Sequence, residues 1–287
     1  MCPIYKTDYQ MKKITFILFA IGLVYCSGAQ ADSFLTADDM PNAVNYLPAP
    51  PDTASQRFTS DWLSFTMVRQ LRSGERGTQV RNDGTLNAVY LGRVFTGAMG
   101  TSITRRTTPE LYTLLQKLIT DCQQATQSIQ AKYRRKPPFE QFKVNSMFPD
   151  QQKALSAKGS YASDYAAVGW ATALILAEIN VDRQDTILHR GYEYGESRVI
   201  AGVSYESDVD AGRVIGTGVV ARLHADDAFM EQLQKAKDEF ATVTGITPVR
   251  AYRPSLSDGT IYDLQGRRVN ETYQGEIYIN NGVKIRK

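Results

Sequence analysis

The sequence predicts a mainly α protein: a compact helical body followed by a small β-rich appendage at the C-terminus. Three observations predict it. Apolar residues recur at three- and four-residue spacing through most of 60–243. The stretch 165–180 is rich in Ala, Leu and Ile and nearly free of charge, as a helix buried on most sides would be. After Pro248 the pattern changes to period two, broken by two-residue turns.

Residues 1–31 read as a leader. A polar preamble precedes Met11, which is an alternative start. Lys12 and Lys13, the apolar run 14–26 and Ala29-Gln30-Ala31 then spell a signal peptide cleaved before Asp32. The apolar run is too short for a transmembrane helix. The expectation is export, to the periplasm or cell surface, with no transmembrane segment after cleavage. Lipoprotein processing at Cys26 is the alternative. After the leader only Cys122 remains, so no internal disulfide is expected. Cys122 falls on an apolar helix face and reads as a buried, inert thiol.

Charge is uneven. The chain is +3 from 33 basic and 30 acidic residues. The leader holds +2 (Lys6, Lys12 and Lys13 against Asp8) and 247–287 holds +3, with seven basic and four acidic residues. The body, 32–246, is therefore −2, which excludes a nucleic-acid partner by charge.

The body opens on an extended segment ending Leu47-Pro48-Ala49-Pro50-Pro51. Trp62, Phe65, Val68 and Leu71 give a helical repeat over 60–77. Residues 78–106 are Gly- and Thr-rich, and the expectation there is a short helix among loops. Thr108-Pro109-Glu110 opens a strong helix, with Thr108 as N-cap and Pro109 at the first position. Leu111, Leu114, Leu115, Leu118, Ile119, Cys122 and Ile129 form its apolar stripe, and Pro137-Pro138 must end it. Residues 139–158 read as loop with a short helical piece. Helices follow over 165–180 and 183–197, then one capped by Ser207 or Asp208 that runs to about His224. Its Ala211, Gly212, Gly216, Gly218 and Ala221 let a neighbour approach closely. Each helical glycine costs up to about 1 kcal/mol, so tight packing must offset the loss. A last amphipathic helix spans 226–243, with Gly245 as its cap.

In the tail, 260–264, 267–270, 276–280 and 283–287 read as short strands. Gln265-Gly266 and Asn281-Gly282 are turns, and Ile277, Ile279, Val283 and Ile285 mark one face. The chain thus divides into a leader (1–31), a helical domain (32–246) and a β-rich tail (247–287). The tail's IYDLQGRRV and GEIYINNGVKIRK resemble C-terminal segments of exported Bacteroidetes proteins, some of which are sorting signals. That resemblance implies a cell-surface or sorting-machinery partner; the plain alternative is a small β-appendage.

The stretch 191–208 carries the strongest motif: Ser197-Arg198, five residues, Ser204, three residues, Asp208. It resembles the third signature block of the class A bacterial non-specific acid phosphatases, in the phosphatidate phosphatase type 2/haloperoxidase superfamily. In that family the block reads Ser-Arg, five residues, His, three residues, Asp. The resemblance runs from about Tyr46 to Phe240 and includes Gly74-Glu75-Arg76-Gly77. It implies a compact helical bundle in which three blocks meet at one phosphate site.

The first family block is Lys, six residues, Arg-Pro. With Tyr133 and Pro138-Phe139 aligned, the lysine position falls on Gln130 and the arginine position on Pro137. A one-residue shift would put Lys136 before Pro137, and Lys132 or Arg135 are alternative cations. The second block, Pro-Ser-Gly-His, is bracketed by Gly159-Ser160-Tyr161 and Gly169-Trp170. It falls on Ala162-Ser163-Asp164-Tyr165. Ser163 is kept, Asp164 stands at the glycine and Tyr165 at the histidine.

The resemblance implies a mechanism in which the third-block histidine attacks phosphorus and the aspartate orients its ring. The second-block histidine protonates the leaving alcohol, and cations steady the transferring phosphoryl. Here Ser204 holds the nucleophile position, Tyr165 the general-acid position and Asp208 the orienting one. His189 and His224 are at neither motif position. A serine hydroxyl needs a base, and a carboxylate with a pKa of about 4 is a weak one. A tyrosine near pKa ~10 is mismatched to neutral or acid pH. Arg198 is the one sure cation, with Asp164 and Asp208 opposing a phosphate. The expectation is that Ser197, Arg198 and Asp208 form an ion pair at a helix junction.

Three functions follow. The first is an exported acid phosphatase-like protein, of the phosphomonoester hydrolase family, that is catalytically impaired and binds a partner or a phosphate-containing small molecule. The second is an active acid phosphatase with rearranged chemistry at Ser204 or Tyr165. The third is a surface-displayed interaction protein. The sequence contains no metal-ligand spacing or Gly-rich phosphate loop, and no cofactor is expected.

Overall fold

The computed structural model describes residues 33–245, 261–269, 271, 273–280 and 283–286. The leader and the Asn281-Gly282 turn lie outside them. The contacts divide the chain into two compact units, parted between Thr244 and Gly245.

The first unit is helical, as expected. Its helices are α1 (Gln56–Val68), α2 (Gly74–Asn82), α3 (Ala88–Met99), α4 (Pro109–Tyr133), α5 (Pro138–Gln141), α6 (Gln152–Lys158), α7 (Asp164–Ile179), α8 (Gln184–Ala201), α9 (Glu206–Leu223) and α10 (Asp227–Thr244). The apolar stripe of α4 is buried from Leu111 through Ile129, Cys122 included. It packs against α7 and against Phe229, Leu233, Ala236 and Phe240 of α10. Burial pushes the Cys122 thiol well above its usual range, so it stays protonated and inert.

The centre of the bundle is α7, flanked by α8 and α9. Small residues set those spacings. A Cβ on Gly212 would lie 2.3 Å from the Ser163 carbonyl oxygen, and one on Gly216 would lie 2.5 Å from that of Ala167. No side chain fits there, so glycine at these two positions lets α9 press onto α7. Ser163 starts α7, its hydroxyl accepting from the Ala166 N–H.

Three expectations are corrected. The helix expected over 60–77 is two helices, broken after Val68, and of its apolar repeat only Phe65 is fully buried; Trp62 and Leu71 are exposed. The short helix expected within 78–106 is present as α3, where Leu91, Phe95 and Met99 are buried and Gly92 lies against the Ile103 carbonyl. Helix α9 begins with Tyr205 as N-cap, and Asp208 serves as the third helical residue of a capping box. Thr108 makes no side-chain cap; instead the Glu239 carboxylate of α10 accepts the Glu110 and Leu111 N–H groups.

The second unit is a four-stranded antiparallel sheet of order β2-β1-β3-β4, from β1 (Ile261–Tyr262), β2 (Arg268–Val269), β3 (Ile277–Asn280) and β4 (Val283–Arg286). Gly266 closes the β1–β2 turn at φ +79°, and Asp263 binds the Gln265 and Arg267 N–H groups. The expected apolar face is split: the register pairs Ile285 with buried Tyr278, which puts it on the covered side, while Ile277 and Ile279 lie on the other side and Ile277 is exposed.

Among the described residues no helix is long and apolar enough to cross a membrane, and no group of three or more His, Cys, Asp or Glu could hold a metal ion.

Candidate functional site

The three blocks do converge. Residue Gln130 ends the buried stripe of α4, Ser163-Asp164-Tyr165 starts α7, Ser197-Arg198 lies in the last turn of α8, and Ser204–Asp208 links α8 to α9. The loop after Pro137 is fastened to that link: Phe139 N–H donates to Gly202 O at 3.1 Å and Met147 N–H to Ala201 O at 2.9 Å. Gly202 turns the chain at φ +79°. Arg72 holds the same corner, donating from Nε to Ile200 O and from Nη1 to Asn145 O.

What meets there is not an open phosphate cradle. Arg198 is 2% exposed, and its Cζ lies 3.7 Å from the centre of the Tyr165 ring. Phe148 lies 5.4 Å from the same Cζ. Two of its nitrogens, Nε and Nη1, are buried with no hydrogen-bond partner. The expected ion pair between Arg198 and Asp208 is therefore corrected: aromatic faces, not a carboxylate, are what Arg198 meets. A guanidinium over a ring is stabilised by the ring's negative face, which substitutes for a missing counterion only in part.

Asp208 has another owner. Arg135 Nη1 binds its Oδ1 at 2.5 Å, while the Tyr205 N–H binds Oδ2 at 2.8 Å. Arg135 Nη2 also binds Asp61 at 2.7 Å, and its Cζ lies 4.0 Å over the Tyr205 ring. Asp61 completes the cluster by accepting from Ser207 N–H and Oγ–H. Burial pushes the Asp208 carboxyl up, against the opposing pull of Arg135. Of the cations offered for the first block, Arg135 is spent on two carboxylates, Lys132 lies over the Tyr133 ring and Lys136, which the one-residue shift would use, is exposed.

Each remaining position also has a packing role. Gln130 Nε2 donates to Ala162 O at 2.8 Å, a neutral strut where the resemblance implies a lysine. Pro137 sits just before α5 with φ −60°. Asp164 binds Lys158, which neutralises the carboxylate expected to repel a phosphate. Ser197 Oγ donates to buried Asp83 and accepts from Arg76 Nη1. Asp83 also binds Arg190, two turns before Ser197 on the same face of α8. Sequence reasoning missed Asp61, Asp83 and Arg76 as members of this cluster; only Arg76 lay in a quoted motif, and no spacing signals the other two.

The proton-handling positions are as awkward in space as in sequence. Ser204 is buried, and among the described residues no hydrogen bond joins its hydroxyl to Asp208. Tyr165 Oη donates to Gly84 O at 3.1 Å, and burial raises its pKa further from working pH. His189 is exposed on α8 beside Glu193, and His224 binds Glu178 at the end of α9. Neither stands in for a missing imidazole.

A helical bundle joining Ser-Arg, Ser and Asp at one junction defines the phosphatase-type scaffold, and the chain belongs to the class A bacterial non-specific acid phosphatase family. It is 46% identical over 196 residues to a non-specific acid phosphatase of Providencia stuartii, covering 68% of this chain and 79% of that protein. It is 31% identical over 231 residues to a non-specific acid phosphatase of Salmonella typhimurium, covering 79% and 92%. An acid phosphatase of Zymomonas mobilis is 29% identical over 194 residues, covering 68% and 74%. No protein-family model matches the chain.

Proposed function

We propose that this chain is an exported member of the phosphomonoesterase family whose motif site no longer turns over phosphomonoesters. One observation carries the reading: the Tyr165 ring lies against Arg198, where a phosphoryl group would need the guanidinium. The position that should protonate the leaving group is instead the lid on the remaining cation. Replacing one member of a catalytic unit can cost on the order of 10⁶ in rate, and here nucleophile and acid positions are both replaced.

The rival reading, an active phosphatase using Ser204, is favoured by the two unpartnered nitrogens of Arg198. It also needs a base on Ser204, and both Asp208 oxygens are already engaged. The test is hydrolysis of p-nitrophenyl phosphate by the purified chain from pH 4 to 8. No release above the uncatalysed rate is expected. Release that disappears in Ser204→Ala overturns the proposal. Export rests on the leader pattern in 1–31 and is tested by sequencing the N-terminus of the mature protein, which should begin at Asp32; an uncleaved chain would refute it.

A further inference from the structure

The strongest unassigned feature lies on the far side of Ser197. Helices α2, α3 and α8 line an open cleft of about 910 Å³, to which none of the three motif blocks contributes a lining residue. Its wall carries three arginines, Arg81, Arg93 and Arg190, against one carboxylate, Glu75. Arg81 and Arg93 have no carboxylate partner among the described residues. Arg93 lies over the ring of Tyr90, 5.3 Å from its centre, and Tyr90 also lines the cavity, 39% exposed. Arg190 is fixed by Asp83, yet its Nη1 is buried without any partner.

Arg190 is held in place by Asp83 with its side chain 13% exposed, so a ligand that met its exposed edge would lose little entropy in ordering it. Guanidinium groups suit carboxylate and phosphate oxygens, which accept two parallel N–H bonds. The volume is in the range of small-molecule sites and exceeds what a bare phosphate fills. Tyr90 offers a flat apolar face for the rest of the molecule.

We propose that this cavity binds an organic oxyanion, with Arg190, Arg93 and Arg81 on the anionic group and Tyr90 against a planar portion. The site is separate from the motif pocket, and it does not require that pocket to be inactive.

The test is calorimetric titration of the full chain with phenylphosphonate, a probe the protein cannot hydrolyse as a monoester, beside benzoate and inorganic phosphate. Phenylphosphonate should bind, with benzoate weaker by its smaller charge and inorganic phosphate weaker for want of the ring. Arg81→Ala and Arg93→Ala alter exposed side chains and should leave the thermal midpoint unchanged. Each should weaken phenylphosphonate about tenfold, as expected for one charged hydrogen bond. Arg198→Gln should leave the affinity unchanged. No binding of any probe overturns the proposal. So does binding that survives the Arg81→Ala/Arg93→Ala double variant, or that Arg198→Gln abolishes, since the anion would then sit at the motif pocket.

Discussion

Arg190 and Arg198 sit on the same helix, about 12 Å apart along its axis, and meet opposite surroundings. Both bury guanidinium nitrogens that no protein atom satisfies. Arg190 is anchored by a carboxylate and faces a cavity. Arg198 has no carboxylate and is pressed between two rings. The motif residue is closed, and the residue outside the motif is open. A retained motif position therefore does not imply a retained site; what covers the side chain decides.

The largest expected effect concerns the third arginine, the one that draws Asp208 away from Ser204. Arg135→Met should strand two buried carboxylates, Asp61 and Asp208, and cost about 3–5 kcal/mol in chemical denaturation. A loss under 1 kcal/mol would mean that Arg135 does not hold the closed arrangement. A second test uses a buried carboxylate with no arginine. Asp121 accepts from the Phe34 and Leu35 N–H groups, and burial pushes its pKa to about 6. The folded state thus binds its proton more readily than the unfolded chain does. Stability should rise as the pH falls from about 6 to about 4, by up to about 3 kcal/mol, and level off below. Asp121→Asn should flatten that slope; an unchanged slope refutes the assignment. The smallest effect sharpens the contrast most. Tyr165→Phe loses only the bond to Gly84 O, about 0.5–1.5 kcal/mol, and keeps the ring on Arg198. Inorganic phosphate should still fail to bind at Arg198 in Tyr165→Phe, whereas Tyr165→Ala should admit it. Equal behaviour of the two variants would show that the ring is not the lid.

Much of the architecture was legible because it is local. The stripe of α4 and the apolar run of α7 need no partner to be recognised, and the Gly212–Gly216 spacing announces a close helix contact. The bounds of α3 were the less legible part, because Gly92, Thr96 and Gly97 are weak helix formers that the burial of Leu91, Phe95 and Met99 overrides. The site was legible as positions and not as partners. Ser163, Ser197, Arg198, Ser204 and Asp208 could be placed by spacing alone. That Arg135 would take Asp208, with Asp61 as the third member, rests on contacts between residues 73 and 74 positions apart, which no local pattern encodes. The tail strands were readable from alternation, but not the register that sets Ile285 opposite buried Tyr278 and leaves Ile277 and Ile279 on the other side.

The bond between Arg135 and Asp208 also limits what a single substitution at the neighbouring serine could do. An imidazole placed at position 204 would arrive without the carboxylate that must set its tautomer, because that carboxylate is already tied into the foundations of α9. Freeing it means stripping Asp61 of its countercharge as well. A histidine at 204 would thus have to draw its orientation from elsewhere for as long as Arg135 keeps both carboxylates.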